Sequence, residues 1–233
     1  MRQHLTCLAI GERAAEVLRS DYGFSVDGEV VQGGLVVQLL GACERPVFDT
    51  IGEWIHGEWP SETGAYGKAG AKAVADDFWK TTYRPPSSSS SSSPVTLPVT
   101  LVARRARDGA AVGTVSLVEK DMQGRDEELG PWLAALFVDE KARGSGAGKV
   151  LVDAAAALAR RMASSNATAA TATAAATAAA TPMMKQLHLW FPTSKPHLKS
   201  FYEASGWVTT EAKARYDCSS FGGEVTIMRL RVF

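Results

Sequence analysis

Apolar residues recur along this chain in two periods. Val47, Ile51, Trp54, Ile55 and Trp59 fall at i, i+4, i+7, i+8 and i+12, the face of an amphipathic helix. Pro46 suits the first turn of that helix and Pro60 stops it. Ala71, Val74 and Phe78 predict a second helix over residues 68–80. Strands are expected where branched apolar residues cluster or alternate, over 35–40, 96–106 and 111–120, with Asp108-Gly109 as a hairpin turn between the last two. Residues 121–130 read as a polar loop. Trp132 to Val138 is apolar on both faces and reads as a central strand. A helix follows to Met162, its inner face formed by Ala147, Leu151, Ala154, Ala155, Leu158 and Met162. A strand over 187–191, a short helix between Pro196 and Gly206, and a last strand over 225–232 complete the pattern. The fold class is therefore α/β with a mixed sheet, in a single domain over residues 35–233 behind an extension of residues 1–34.

Composition changes this picture in two places. Residues 87–93 are seven consecutive Ser, and 11 of residues 163–181 are Ala. Both read as low-complexity inserts, at 85–94 and 163–181, between elements of a chain of otherwise ordinary make-up. Lys plus Arg is 25 and Asp plus Glu is 25, so the formal net charge is zero. That argues against a broad basic surface, and so against nucleic acid or an acidic membrane as partner. No window is apolar enough for a transmembrane helix, and the N-terminus makes no convincing signal peptide. Cys7, Cys43 and Cys218 are far apart and odd in number, which reads as reduced thiols in a cytoplasmic protein. His4, His56, His188 and His197 lack metal-ligand spacing, so no metal is expected.

The sharpest local signal is Arg143-Gly144-Ser145-Gly146-Ala147-Gly148, between the central strand and a helix. Glycines let a backbone approach a ligand closely, and a helix N-terminus offers unpaired N–H groups to an anion. Two common phosphate loops do not fit. A Walker loop requires Ser or Thr after Gly-Lys, but Val150 follows Gly148-Lys149. A dinucleotide fingerprint would require Gly at position 149. The pattern Arg-x-x-Gly-x-Gly fits completely.

That pattern behind Phe137-Val138 resembles the coenzyme A-binding motif of the GNAT family of N-acetyltransferases. Leu187 to Trp190 and the segment Phe201-Tyr202-Glu203-Ala204-Ser205-Gly206-Trp207 resemble the family's later elements, in the right order. The resemblance implies a GNAT fold with a mostly antiparallel sheet and direct acetyl transfer from acetyl-CoA to a primary amine. It places the acetyl-pantetheine arm on the backbone of Leu136, Phe137 and Val138. The pyrophosphate then lies on the N–H groups of Arg143, Gly144, Ser145, Gly146, Ala147 and Gly148, and the Arg143 side chain either adds charge or holds the loop. Tyr202 matches the acid that protonates the leaving thiolate. The base is taken as Glu128, chosen from Glu119, Asp121, Glu127 and Glu128, with His56 and His188 as alternatives. His56 and Trp59 end the first helix, which in this family lines the acceptor groove. Glu58-Trp59-Pro60 is similar to the actin N-terminal acetyltransferase and to an uncharacterised bacterial subgroup. Ser61 to Tyr66 carries no Arg, so no acidic peptide is implied. The expected acceptor is a small-molecule amine or a protein N-terminus. The rival reading is a catalytically inactive coenzyme A-binding module.

Overall fold

The computed structural model describes residues 34–60, 70–82, 97–172, 185–217 and 221–232, without the side chains of 165–172. The expected extension, the Ser insert and the distal part of the Ala/Thr insert lie outside the described residues, as do Cys7 and Cys218. Among the described residues there are seven strands: β1 (Leu35–Leu39), β2 (Val99–Arg105), β3 (Ala111–Val118), β4 (Trp132–Val138), β5 (Gln186–Pro192), β6 (Val208–Asp217) and β7 (Gly222–Arg231). They hydrogen-bond in the order β1-β2-β3-β4-β5-β7-β6. The pairs β1/β2, β5/β7 and β6/β7 are antiparallel, and β4/β5 is parallel. The α-helices among the described residues are α1 (Arg45–Glu58), α2 (Gly70–Thr82), α3 (Asp126–Leu129), α4 (Ala147–Ala172) and α5 (His197–Glu203). This is the mixed α/β sheet flanked by helices that the apolar pattern predicts.

The chain divides into two compact units. The first holds β1, β2, most of β3, α1, α2, the end of β4 and the start of α4. Its core joins Leu40, Phe48, Ile51, Ile55, Val74 and Val102. The helices α1 and α2 meet backbone to side chain. A Cβ placed on Gly52 would stand 2.5 Å from the Ala71 carbonyl oxygen and 2.8 Å from the Ala75 Cβ. At the outer edge of this seam Arg45 pairs with Asp76 and with Asp49 at 3.0 Å, and Lys72 reaches Asp76 at 2.9 Å. Those cations hold the Asp76 carboxyl below its ordinary range, the Arg45 hydrogen bond most of all. Cys43 is buried, accepts from Gln38 Nε2 at 2.9 Å, and has its thiol pushed up to about 11 by burial, which keeps it inert.

The second unit holds the start of β4, the rest of α4, β5, α5, β6 and β7. Its core joins Met122, Trp132, Tyr216, Val225 and Ile227. The segment between β3 and β4 is tied down rather than loose. The Asp126 carboxylate accepts from the N–H groups of Asp121 and Met122, both at 2.7 Å. Arg125 forks onto Glu211 at 2.6 and 3.3 Å. The Gln123 N–H reaches the Tyr216 hydroxyl at 3.3 Å, and Trp190 Nε1 donates to Asp121 at 2.9 Å.

Three expectations change. Residues 121–130 contain the one-turn helix α3. Strand β6 was not expected, because Val208 to Asp217 is mostly exposed and lacks apolar alternation; its register also shifts twice against β7. Helix α4 does not end at Met162 but continues to Ala172, into the Ala/Thr segment. Alanine has the highest helix propensity, and the interspersed Thr residues cost too little to end the helix.

The α1/α2 seam generates a test. Gly52→Val should lower stability by about 1–3 kcal/mol, because its side chain would overlap backbone rather than a movable side chain. Urea unfolding of both proteins reads this directly, and equal midpoints would refute the close approach.

Candidate functional site

The end of β4 is unusual for a central strand. Trp132 and Leu133 are buried, but the apolar run Ala134 to Val138 is only partly buried. Its ladder with β5 consists of one pair, Trp132 opposite His188, closed by the His188 N–H on the Pro131 carbonyl at 3.0 Å. Just past that rung Ala135 takes φ +51°, a left-handed conformation costly for a residue with a Cβ. On the β3 side the strand is held tightly. The Asp139 N–H donates to the Val112 carbonyl at 2.9 Å, and a Cβ on Gly113 would come within 2.7 Å of the Phe137 carbonyl oxygen. Trp54 of α1 stacks on Phe137 with ring centres 5.3 Å apart, so the first helix covers this strand with an aromatic face.

The glycine loop follows within the same unit. A single 3-10 turn over Glu140–Ala142 is capped by the Asp139 carboxylate, which accepts from the Lys141 N–H at 2.9 Å. Gly144 and Gly146 have φ +80° and +86°, and a Cβ at either would meet nothing within 4 Å. Glycine is required there by backbone conformation and not by crowding. Among the described residues the N–H groups of Gly144, Gly146 and Gly148 donate to no backbone carbonyl. They are the unpaired donors of a helix start, where an anion is favoured. The Arg143 Nε donates to the Val138 carbonyl at 3.3 Å and its guanidinium lies 3.7 Å from Glu140. These contacts tie the loop to its strand.

The other expected residues lie as follows. Tyr202 is buried, stacked with Phe191 at 5.9 Å and edge-on to Phe201 and Trp207 at 5.0 and 6.1 Å. Burial pushes its phenol well above the ordinary tyrosine range, so it keeps its proton. Glu128 is exposed and its carboxylate sits 3.1 Å from Arg125, turned to a surface ion pair. Asp121 is engaged by Trp190. His56 lies over Gly70, whose Cβ would be 3.0 Å from its Nε2, and Trp59 packs against the α1/α2 core. The structure thus brings the strand end and the loop together, and puts His56 and Trp59 in the helix pair.

The buried pair at the β4/β5 rung was missed as a unit. Trp132 is 0% and His188 5% exposed, with ring centres 5.8 Å apart. The alternation of Leu187, His188 and Leu189 places His188 on the opposite side of β5 from its apolar neighbours, but nothing in the spacing joins it to Trp132. His188 donates to the Leu129 carbonyl, while its Nδ1 and the Trp132 Nε1 have no protein partner. Burial is the main cause that lowers the imidazole below its ordinary pKa, with Arg229 opposite adding to it.

This geometry fits what comparison with known proteins shows. Residues 71–188 match the model of the acetyltransferase (GNAT) family, half of the chain, and the chain belongs to that family. No curated protein sequence matches it. Among solved structures it is similar to a GNAT-family acetyltransferase from Streptococcus pneumoniae (14% identity, 84% of this chain and 98% of that one, TM-score 0.51). It is also similar to a putative acetyltransferase from Salmonella typhimurium with its cofactor acetyl-CoA (10% identity, 86% and 95%, TM-score 0.53). A third is a dodecameric spermidine N-acetyltransferase from Vibrio cholerae (13% identity, 85% and 94%, TM-score 0.51). These likenesses establish the GNAT fold. Among the described residues no helix is long and apolar enough to cross a membrane.

The state of His188 has a consequence for stability. Its folded pKa lies below the unfolded value of 6.5, so the unfolded chain binds the proton more readily. The stabilisation is complete above pH 6.5 and is lost as pH falls from there through the lowered folded value. Thermal melts between pH 7.5 and 5 should show a drop that His188→Gln reduces; an identical drop in both proteins would contradict the buried neutral state.

Proposed function

We propose that this protein transfers the acetyl group of acetyl-CoA to a primary amine by direct attack. The observation that carries this is the end of β4: an apolar central strand left half-exposed, running into a loop with unpaired N–H groups. That combination suits a ligand with an apolar arm and an anionic tail. The backbone of Leu136, Phe137 and Val138 takes the acetyl-pantetheine arm. The unpaired N–H groups of Gly144, Gly146 and Gly148 take the pyrophosphate, while those of Arg143, Ser145 and Ala147 donate to the Glu140 and Ala142 carbonyls and to Ser145 Oγ and hold the loop in shape. No side-chain cation is required for the anion, in keeping with a chain of zero net charge. We take residues 35–233 as one acetyltransferase domain, interrupted by the inserts at 85–94 and 163–181.

Tyr202 serves as the acid. Its phenol carries a proton at neutral pH and stands where the family's acid stands, to give that proton to the departing thiolate. Trp54, with Trp59 and His56 farther along α1, forms the acceptor side. The acceptor is a small-molecule amine or a protein N-terminus; the likeness of Glu58-Trp59-Pro60 to the actin N-terminal acetyltransferase supports the latter.

A free-thiol assay with acetyl-CoA and a panel of primary amines tests the reading. The panel holds a short peptide with a free N-terminus and spermidine, the latter because one structural neighbour is a spermidine N-acetyltransferase. Thiol release above background is expected with at least one amine. Acetyl-CoA binding without turnover would instead establish the inactive coenzyme A-binding module. Tyr202→Phe should lower the rate and leave acetyl-CoA binding unchanged; equal rates would remove Tyr202 from the mechanism. Gly146→Val should weaken acetyl-CoA binding about tenfold by calorimetry, since φ +86° costs a residue with a Cβ about 1–2 kcal/mol. Unaltered affinity would place the anion elsewhere.

A further inference from the structure

We infer that Trp54 limits the donor's acyl group to acetyl, by closing the space into which a longer chain would extend. This rests on the acetyl-transfer reading above and names the donor class of the same site. Trp54, Gly113, Ala135 to Val138 and the glycine loop all lie in the first unit. The direction of the donor follows from chain order. With its anionic tail on the N–H groups of Gly144, Gly146 and Gly148, the arm runs back along β4, and its reactive end comes to the stretch between Phe137 and Ala135.

An aromatic side chain covers one face of that stretch. Trp54 and Phe137 stack with ring centres 5.3 Å apart and planes inclined by 28°, a contact that leaves no room for an alkyl chain between them. Trp54 and Ala135 pack against the same core. Within it Leu40, Phe48, Ile51 and Val102 are 0% exposed, so this face backs onto filled space. The β3 edge is closed as well, since Gly113 passes too near the Phe137 carbonyl oxygen to admit even a Cβ.

The cover is also rigid. Trp54 lies two residues beyond Gly52, whose Cβ would stand 2.5 Å from the Ala71 carbonyl oxygen, and Ile51 and Ile55 of the same helix are buried. Helix α1 therefore cannot withdraw to admit a longer chain without parting from α2. Trp54 and Phe137 are themselves only partly buried, so the pair borders the open side of the strand, where a ligand can enter. An acetyl methyl ends at this wall. A propionyl or butyryl chain has two courses. One runs against the indole, where overpacking opposes it. The other runs outward, into the path of the attacking amine. Trp54 is thus a specificity-determining residue for the donor.

The test uses the full chain, whichever of spermidine or the peptide it acetylates faster, and acetyl-, propionyl- and butyryl-CoA as donors. With the amine held fixed, any effect of Trp54 on the acceptor cancels from the ratio between donors. Each added methylene should lower wild-type kcat/KM at least about tenfold. Trp54→Ala should bring all the donors within about tenfold of one another. Trp54→Phe keeps an aromatic face and should admit propionyl while still excluding butyryl, which keeps the test sharp should the alanine variant fail to fold. An active wild type that uses butyryl-CoA as readily as acetyl-CoA would overturn the inference with no variant needed. Donor ratios unchanged in both variants, with the rate lost equally for every donor, would also overturn it and leave Trp54 as mere support for the strand. A wild-type protein that binds acetyl-CoA but acetylates neither amine would defeat the acetyl-transfer reading itself, and the inference with it.

Discussion

The organisation of the molecule depends on β4 being bound firmly on one side. The Asp139 N–H on the Val112 carbonyl and the close passage of Gly113 under the Phe137 carbonyl fix the strand to β3. Toward β5 it has one rung, and Ala135 turns out of regular extended geometry directly after it. An apolar strand in the middle of a sheet normally buries both faces. Here Ala134 to Val138 stay half-exposed, and that departure from sheet regularity makes room for chemistry. The glycine loop then begins where the strand stops, so the apolar surface and the anion-favouring donors are joined by a few residues of continuous chain.

The support around these parts is of two kinds. In the first unit it is steric: Gly52 lets α1 approach Ala71 and Ala75 so closely that Trp54 is carried onto Phe137 by a rigid helix pair. In the second it is polar: Asp126, Arg125, Glu211, Tyr216 and Asp121 knit the β3–β4 segment to β5 and β6. Ion pairs as exposed as Arg125–Glu211 add little stability individually. Their effect here is to give an otherwise irregular, acidic stretch a single conformation, so that the Leu129 carbonyl is available to His188.

Much of this was legible in the residues. The 3.6 period of Val47 to Trp59 and the alternation in β2 and β3 translate directly into elements, because half-buried helices and strands write burial into their spacing. The glycine loop was legible because its conformation excludes other residues. What escaped notice has no such imprint. Strand β6 is exposed on both sides for most of its length and is held by pairing with β7, a backbone interaction that leaves no apolar signature. The end of α4 was obscured by composition, since an Ala/Thr run resembles a linker until helix propensity is considered. Glu128 was a plausible base by its place in the chain, yet its side chain turns to Arg125. The Trp132–His188 pair joins residues far apart in the chain, and only the register between β4 and β5 brings them face to face.

The unpaired donors of the loop over residues 143–148 are peptide groups, and peptide groups do not ionise in the physiological range. Whatever anion rests there meets donors whose strength is the same in acid and in base, apart from the ligand's own protonation. The buried imidazole of His188, which burial keeps neutral, belongs to the second unit and not to this loop. A loop built this way offers an anion the same donors across the pH range in which a histidine changes its charge.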